Sequence, residues 1–284
     1  TGLNYQTIET EKRNGILILR HNRPEKLNAR NSQMYVEIMA ALSIASEDDE
    51  VVAVVLTAVG KFFSAGMDFE NEPRRAYEVQ AGDSARTAEI KRALPKRIEG
   101  DVGTWLPVLF IESFIRFDKP LIGAVNGPAI GEGFSSLLHC DLVFATASAY
   151  FWAPFARAGV APEFCSTMLM PERLGRSLAN AAIYLGHRVS AAEAKSAGFV
   201  LELFPAGEKF ESAVLARIEA GLALTGPPEL RHNTLKRYKR LVYQDSDREK
   251  LLLQCRKEFE LIREMGRSGD TKKVQAYYQN VLPG

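Results

Sequence analysis

The chain has 284 residues, 46% of them hydrophobic and 25% charged, and 36 basic residues against 35 acidic ones leave a formal net charge of +1. That length fits one large domain, or a domain with a smaller appendage, with the composition of an ordinary soluble globule. The charge balance leaves no footprint for nucleic acid. Three cysteines (Cys140, Cys165, Cys255) form no disulfide framework or zinc pattern, and four scattered histidines form no metal site.

In chain order, residues 15–20 read as a buried strand, broken at Asn22-Arg23-Pro24-Glu25-Lys26. A helix follows over about 32–46, with Asn31 or Ser32 able to cap it and Met34, Ile38, Leu42 and Ala45 on one face. Residues 51–57 are a continuous, mostly β-branched run, the pattern of a strand covered on both faces. The longest apolar runs, such as 51–59, are too short to span a membrane. The chain turns through Gly60 to Gly66. Residues 70–100 are polar and poorly periodic, an inserted segment with a helix near 88–94. Residues 105–117 read as helix, 120–125 as a buried strand, 131–139 as helix and 141–145 as a further strand. This alternation predicts an α/β layered fold. From Pro171 onward the pattern is helical: 177–186, 190–198, 208–225, 228–243 and 245–265. Pro227-Pro228 marks a boundary, and a helical C-terminal region is expected from about residue 205.

Three features bear chemistry. Glu163 stands within Ala161-Pro162-Glu163-Phe164-Cys165-Ser166-Thr167. Gly66-Met67-Asp68 is a turn whose glycine lets a following N–H point outward. Gly131-Glu132-Gly133 opens a predicted helix, where free N–H groups favour negative charge. Each turn alone also fits an ordinary loop, and Glu163 alone fits a salt-bridged surface residue. Phosphate cradling is disfavoured, because Ser136 replaces the third glycine of the dinucleotide pattern and no P-loop lysine follows. Convergence of the two turns would make an oxyanion hole. Asp68 reads as a helix cap, His139 and Cys140 as core, and Cys165 as a pocket-lining thiol without an activating neighbour. The Glu132 side chain is expected to face solvent or pair with an arginine, with a second-acid role as the alternative. The basic run Lys236-Arg237-Tyr238-Lys239-Arg240 reads as a solvated helix face.

Taken together, Phe62-Phe63-Ser64-Ala65-Gly66-Met67-Asp68-Phe69, the segment 119–131 with Asn126-Gly127-Pro128-Ala129-Ile130-Gly131, Cys140-Asp141, the segment 22–29 and the segment 188–200 resemble the crotonase (enoyl-CoA hydratase/isomerase) superfamily over roughly residues 8–210. The resemblance implies an α/β fold of the crotonase type, a ββα spiral core over residues 1–204. A helical C-terminal region, 205–284, would serve trimer assembly, as a homotrimer or a dimer of trimers. It implies an acyl-CoA substrate, with coenzyme A part of the substrate and no separate cofactor. The backbone N–H groups of Met67 and Glu132 would hold the thioester oxygen. Lys26, Leu27, Ala29, Lys61, Ser64, Ala65, Gly66, Asp68, Phe69 and Gly131 would contact substrate or coenzyme A. The 70–100 insertion, Phe155 and Phe164 would shape the acyl pocket.

Where hydratases of the superfamily carry two glutamates, this chain has Ser135 and Phe155. Glu163 instead matches the catalytic glutamate of peroxisomal-type Δ3,Δ2-enoyl-CoA isomerases, with Phe164 in place of their glycine. The expected activity is therefore conversion of a 3-enoyl-CoA to the 2-trans isomer in fatty-acid oxidation by one glutamate, with Phe151, Trp152, Phe155 and Phe164 desolvating it. The alternatives are another crotonase reaction (hydration, thioester hydrolysis or decarboxylation) or a non-catalytic coenzyme A-binding homologue. The resemblance suggests a peroxisome or mitochondrial matrix, or the cytoplasm of a bacterium. The residues at either end show no secretory pattern or peroxisomal tripeptide.

Overall fold

The computed structural model describes residues 5–68, 79, 82–94 and 101–281. The elements run in the order β1 (Ile8–Arg13), β2 (Ile16–His21), α1 (Ser32–Glu47), β3 (Ala53–Ala58), α2 (Ala85–Ala93), α3 (Leu106–Arg116), β4 (Leu121–Val125), β5 (Ala129–Ile130), α4 (Glu132–Ser135), β6 (Leu142–Thr146), β7 (Tyr150–Trp152), α5 (Phe155–Ala158), α6 (Ser166–Leu174), α7 (Arg176–Leu185), β8 (Arg188–Ser190), α8 (Ala191–Ser196), β9 (Glu202–Phe204), α9 (Phe210–Ala223), α10 (Pro228–Val242), α11 (Asp245–Ser268) and α12 (Asp270–Val281). Six strands form one sheet in the order β1-β2-β3-β4-β6-β9, and β5, β7 and β8 form a second, smaller sheet. Only β1 runs antiparallel in the larger sheet; β2 to β3, β4, β6 and β9 are parallel neighbours. Parallel neighbours need crossover connections, which the helices supply.

Strand patterning explains the layering. Side chains alternate faces along a strand. Leu17, Leu19, Val54 and Leu56 face the large core with α1 and α3. Ile16, Ile18, Ala53, Val55, Ile122, Ala124 and Phe144 face the other way, where Phe210, Val214, Leu215 and Ile218 of α9 cover them. Both faces are therefore buried, and the strand sequences are continuous apolar runs. The Asn31 side chain accepts a hydrogen bond from the Met34 N–H and caps α1.

Several elements depart from expectation. β1 was not anticipated, although Asn14-Gly15 is a strong hairpin signal: both residues have positive φ, 50° and 79°. β9 lies inside the stretch expected to be helical, and α6 begins five residues before Pro171, which sits within that helix. The predicted helix at 131–139 is α4 followed by a 3-10 turn. Much of the 70–100 insertion lies outside the described residues. Its described helix, α2, is tied to α1 through Gln33, which accepts from Lys91 Nζ and donates to Asp83, while Lys91 and Asp83 form a fully buried ion pair at 3.0 Å within the segment.

The C-terminal helices return to the body of the fold. α11 packs on α3 and on residues 102–104, and α12 packs on α5. The basic run in α10 is not simply solvated, as had been expected. Lys236 and Arg240 pair with Asp118, and Lys239 pairs with Asp141. Among the described residues, no helix is long and apolar enough to cross a membrane.

Candidate active site

The two glycine turns meet. Residues 63–67, after β3, run beside residues 128–131, after β4. The Phe63 N–H donates to the Pro128 carbonyl at 3.0 Å and the Ile130 N–H to the Ser64 carbonyl at 2.9 Å. On its other side the first turn is fixed to Arg30, whose N–H donates to the Gly66 carbonyl while its carbonyl accepts from the Asp68 N–H. Gly66 has φ +95°, and a Cβ there would stand 2.9 Å from the Ile130 carbonyl oxygen and 3.6 Å from the Gly131 Cα. Only glycine permits this approach. Gly131 has φ +55°. Met67 and Glu132 directly follow these two touching glycines. Among the described residues, no backbone hydrogen bond takes up the N–H of either. Two unspent amides can hold an oxygen that gains negative charge where they converge on it.

Glu163 lies on the elbow between α5 and α6 and is 8% exposed. The next two residues, Phe164 and Cys165, both adopt left-handed backbone, φ 58° and 55°. This conformation is rare for a bulky side chain. His139 fixes Phe164 from below: its Nε2 donates to the Phe164 carbonyl at 2.9 Å, as a neutral imidazole whose pKa burial lowers to about 4. The Phe164 ring stands edge-on to Phe110 and Phe114, centroids 5.7 and 5.6 Å away, and Tyr35 stacks on Phe110 at 4.5 Å. Burial raises the Glu163 pKa well above the ordinary carboxylate value. The negative charges of Glu132 and Glu258 raise it further, and Arg30 opposes them.

Glu132 departs from expectation. It is 1% exposed, so it does not face solvent. Its Oε2 accepts from the Tyr35 hydroxyl at 2.7 Å, and its Oε1 is buried without a hydrogen-bond partner among the described residues. Burial raises its pKa to about 7, against the lowering effects of the Arg30 charge and the Tyr35 hydrogen bond. The anticipated arginine is present, but its hydrogen bonds go elsewhere than to the carboxyl: fully buried Arg30 donates from Nη1 to the Glu132 backbone carbonyl at 3.2 Å and from Nη2 to Ser136 Oγ at 3.0 Å. Tyr35 and Arg30 were missed by sequence reasoning. Their signal, a tyrosine in the first turn of an amphipathic helix and a basic residue just before its cap, is too weak to single out.

The other site residues fall into three groups. Lys26, Leu27 and Lys61 are exposed, Leu27 with a left-handed backbone, and Ala29 and Ala65 are half-buried. Ser64 and Asp68 are engaged by the protein itself. Ser64 Oγ donates to the Asn28 carbonyl and accepts from the Gly66 N–H. Asp68 pairs with Arg23 at 2.8 Å, and whether it caps a helix lies outside the described residues, as does Phe69. Phe155 is buried at the start of α5. Of the aromatics expected around Glu163, Phe151 packs on Phe134 and Phe199 in the core. Trp152 lies under Arg188, with Nε1 donating to the Gly186 carbonyl. Cys165 does not line a pocket through an open thiol: it is fully buried, and its Sγ meets the Leu251 carbonyl at 3.1 Å.

This arrangement has relatives. Enoyl-CoA delta isomerase 2 of Homo sapiens is 34% identical over 247 residues, 87% of this chain and 56% of that protein. The Chromodomain Y-like protein of Mus musculus is 35% identical over 216 residues, 76% of this chain and 33% of that protein. The chain thus spans about half the length, or less, of these two relatives. The crystal structure of an enoyl-CoA hydratase/isomerase from Pseudoalteromonas atlantica T6c superposes with a TM-score of 0.79 at 30% identity, covering 98% of this chain and 99% of that one. The sequence model of the Enoyl-CoA hydratase/isomerase family matches residues 11–96 and 109–278. With the paired glycine turns and the spiral of parallel strands, these matches show that the chain belongs to the enoyl-CoA hydratase/isomerase family and has the crotonase fold.

Proposed function

We propose that the protein is a Δ3,Δ2-enoyl-CoA isomerase, with Glu163 as its one proton-transferring residue and the Met67 and Glu132 N–H groups as its oxyanion hole. The observation that carries the reading is a buried carboxyl, on a rigid elbow, in the same protein as two touching turns with unspent amides. In this reading Glu163 removes a proton from C2 of a 3-enoyl thioester. The electrons move into a dienolate whose oxygen lies between the two N–H donors. Glu163 then returns the proton at C4, giving the 2-trans isomer with no change in mass. Its raised pKa makes it a stronger base once ionised. The coenzyme A moiety would run along the exposed edge at Lys26, Leu27, Ala29 and Lys61, past Ala65 and Gly66. Phe155 and Phe164 would bound the acyl chain. Residues 205–284 would build a trimer or a dimer of trimers. The similarity to Enoyl-CoA delta isomerase 2 supports the activity.

A second reading, hydration, is favoured by one observation: Glu132 places a second buried carboxyl, with an unpartnered oxygen, close enough for its charge to act on Glu163. A pair of carboxyls, one protonated and one ionised, is what addition of water needs. Mass analysis of products from 3-enoyl-CoA and 2-enoyl-CoA separates the readings, because hydration adds water. Glu163→Gln is expected to lower isomerase kcat by about 10²–10⁴ while the protein stays folded. Full isomerase activity in that variant would remove Glu163 from the mechanism.

A further inference from the structure

The Glu163 elbow is held from a distant part of the chain. Phe164 and Cys165 sit in a costly backbone region that persists only where the surroundings impose it. The following helix, α6, has Cys165 as its N-cap residue, which makes no side-chain capping bond. The missing cap comes from α11, 93 residues away. Glu258 Oε2 accepts the Cys165 N–H at 2.8 Å, and Oε1 accepts the Thr167 N–H at 3.2 Å and the Thr167 hydroxyl at 2.5 Å. Gln254 Nε2 donates to the same hydroxyl at 2.8 Å. One turn earlier on α11, the Leu251 carbonyl meets Cys165 Sγ at 3.1 Å. Residues 251, 254 and 258 share one helix face, and that face grips the segment immediately after Glu163. Glu258 is 4% exposed. A buried carboxylate spread over two backbone amides and a hydroxyl is a two-pronged clamp of the strong, charge-assisted kind.

We propose that Glu258 is the positioning residue for Glu163, so that α11 is part of the active site rather than an assembly element alone. The proposal rests on the reading of Glu163 as the base. α11 is itself anchored on α3, which also carries the Phe110 and Phe114 rings against Phe164. Helix, elbow and aromatic wall thus form one rigid unit, and the clamp fixes the direction in which the Glu163 carboxyl leaves the elbow. Positioning of this kind matters because a misplacement of about 1 Å can cost about 10²-fold in rate.

The clamp also sets the electrostatics. The charged groups that act on Glu163 are Arg30 ahead of α1, Glu132 on α4 and Glu258 on α11; Tyr35 and His139 stand by as neutral groups. Removing the Glu258 charge takes away a negative neighbour. Glu163 would then ionise at lower pH, and the acidic limb of the rate profile would move to lower pH. A neutral residue that merely stabilised α6 would not shift that limb, and a nearby charge without a positioning role would shift it without lowering the plateau kcat.

The test uses the full chain with Glu258→Gln, Glu258→Ala and Lys257→Ala, the last an exposed neighbour on the same helix. Five quantities are read: kcat and KM on a 3-enoyl-CoA from pH 5 to 9, affinity for a saturated acyl-CoA, melting temperature, and amide hydrogen exchange over residues 164–167. Lys257→Ala should match the wild type. Both Glu258 variants should lose about 10- to 100-fold in kcat, keep saturated acyl-CoA affinity within about threefold, show the limb at lower pH and exchange faster over 164–167. Wild-type kcat and limb despite faster exchange would overturn the proposal, and so would unchanged exchange. If Glu258→Ala does not fold, Glu258→Gln decides on the same criteria, and Gln254→Ala on kcat and exchange alone, with the limb unmoved. If the wild type itself turns over no 3-enoyl thioester, the isomerase reading falls. The clamp is then judged by exchange alone, faster supporting it and unchanged refuting it.

Discussion

Replacing Glu132 by glutamine would remove a buried titrating group while keeping the backbone N–H that follows Gly131. Burial raises the Glu132 pKa from 4.5 to about 7. The folded chain therefore holds this proton more tightly than the unfolded chain does. The stabilisation is complete below about pH 4.5 and is lost as pH rises through about 7. At about 1.4 kcal/mol per pKa unit, that rise is worth roughly 3 kcal/mol between pH 4.5 and 8. Glu258, also raised to about 7, has the same sign. The wild type should thus lose stability between about pH 6.5 and 8; below that range the buried neutral imidazoles of His21 and His139, whose pKa values burial lowers, act with the opposite sign. Glu132→Gln should flatten that slope and melt several degrees above the wild type at pH 8, while matching it near pH 5. The competing effect is Arg30, fully buried, which loses a nearby negative charge; an unpaired buried charge is strongly destabilising. The Glu132 pKa stays near 7 even beside Arg30, so the burial cost of its charge outweighs the attraction of Arg30. Thermal denaturation of both proteins from pH 5 to 8 checks this. A steeper slope in the variant, or a lower melting temperature at pH 8, would refute the reasoning. The same variant bears on catalysis: with one negative neighbour gone, Glu163 should ionise at lower pH and the acidic limb of kcat should move down. Loss of turnover on 2-enoyl-CoA would favour the hydration reading instead.

Two further substitutions probe the packing. Gly133→Ala would set a Cβ 2.7 Å from the Ser64 Cβ and 2.8 Å from the Ser64 carbonyl oxygen. Overpacking of this kind costs about 1–3 kcal/mol, and the two turns would be forced apart, so both melting temperature and kcat should fall; wild-type kcat would show that the turns do not act together. Phe164→Gly sets two effects against each other. It relieves a strained backbone of about 1 kcal/mol but empties a ring site between Phe110 and Phe114, worth about 3–5 kcal/mol. The net expectation is destabilisation of roughly 2 kcal/mol or more in denaturant unfolding, and a more stable variant would show that the ring contributes little.

The amino-acid sequence by itself determined the elements that local chemistry controls. Continuous apolar runs gave β2, β3, β4 and β6, because strands buried on both faces need no polar alternation. The Asn31 cap and the apolar face at Met34, Ile38, Leu42 and Ala45 gave α1. Glu163 and the glycine turns were also legible, since φ > 0 and a solitary acid leave a mark in one dimension. The short strands β5, β7, β8 and β9 were not, because two or three residues become a strand only when a neighbour supplies the hydrogen bonds. The tertiary structure alone decided the state of the acids. A glutamate read as solvent-facing or arginine-paired, Glu132, is buried against Tyr35, and a glutamate on a charged C-terminal helix, Glu258, grips the elbow 93 residues away. Burial and long-range charge set a carboxyl's pKa and direction, and both depend on which elements pack around it rather than on its neighbours in the chain.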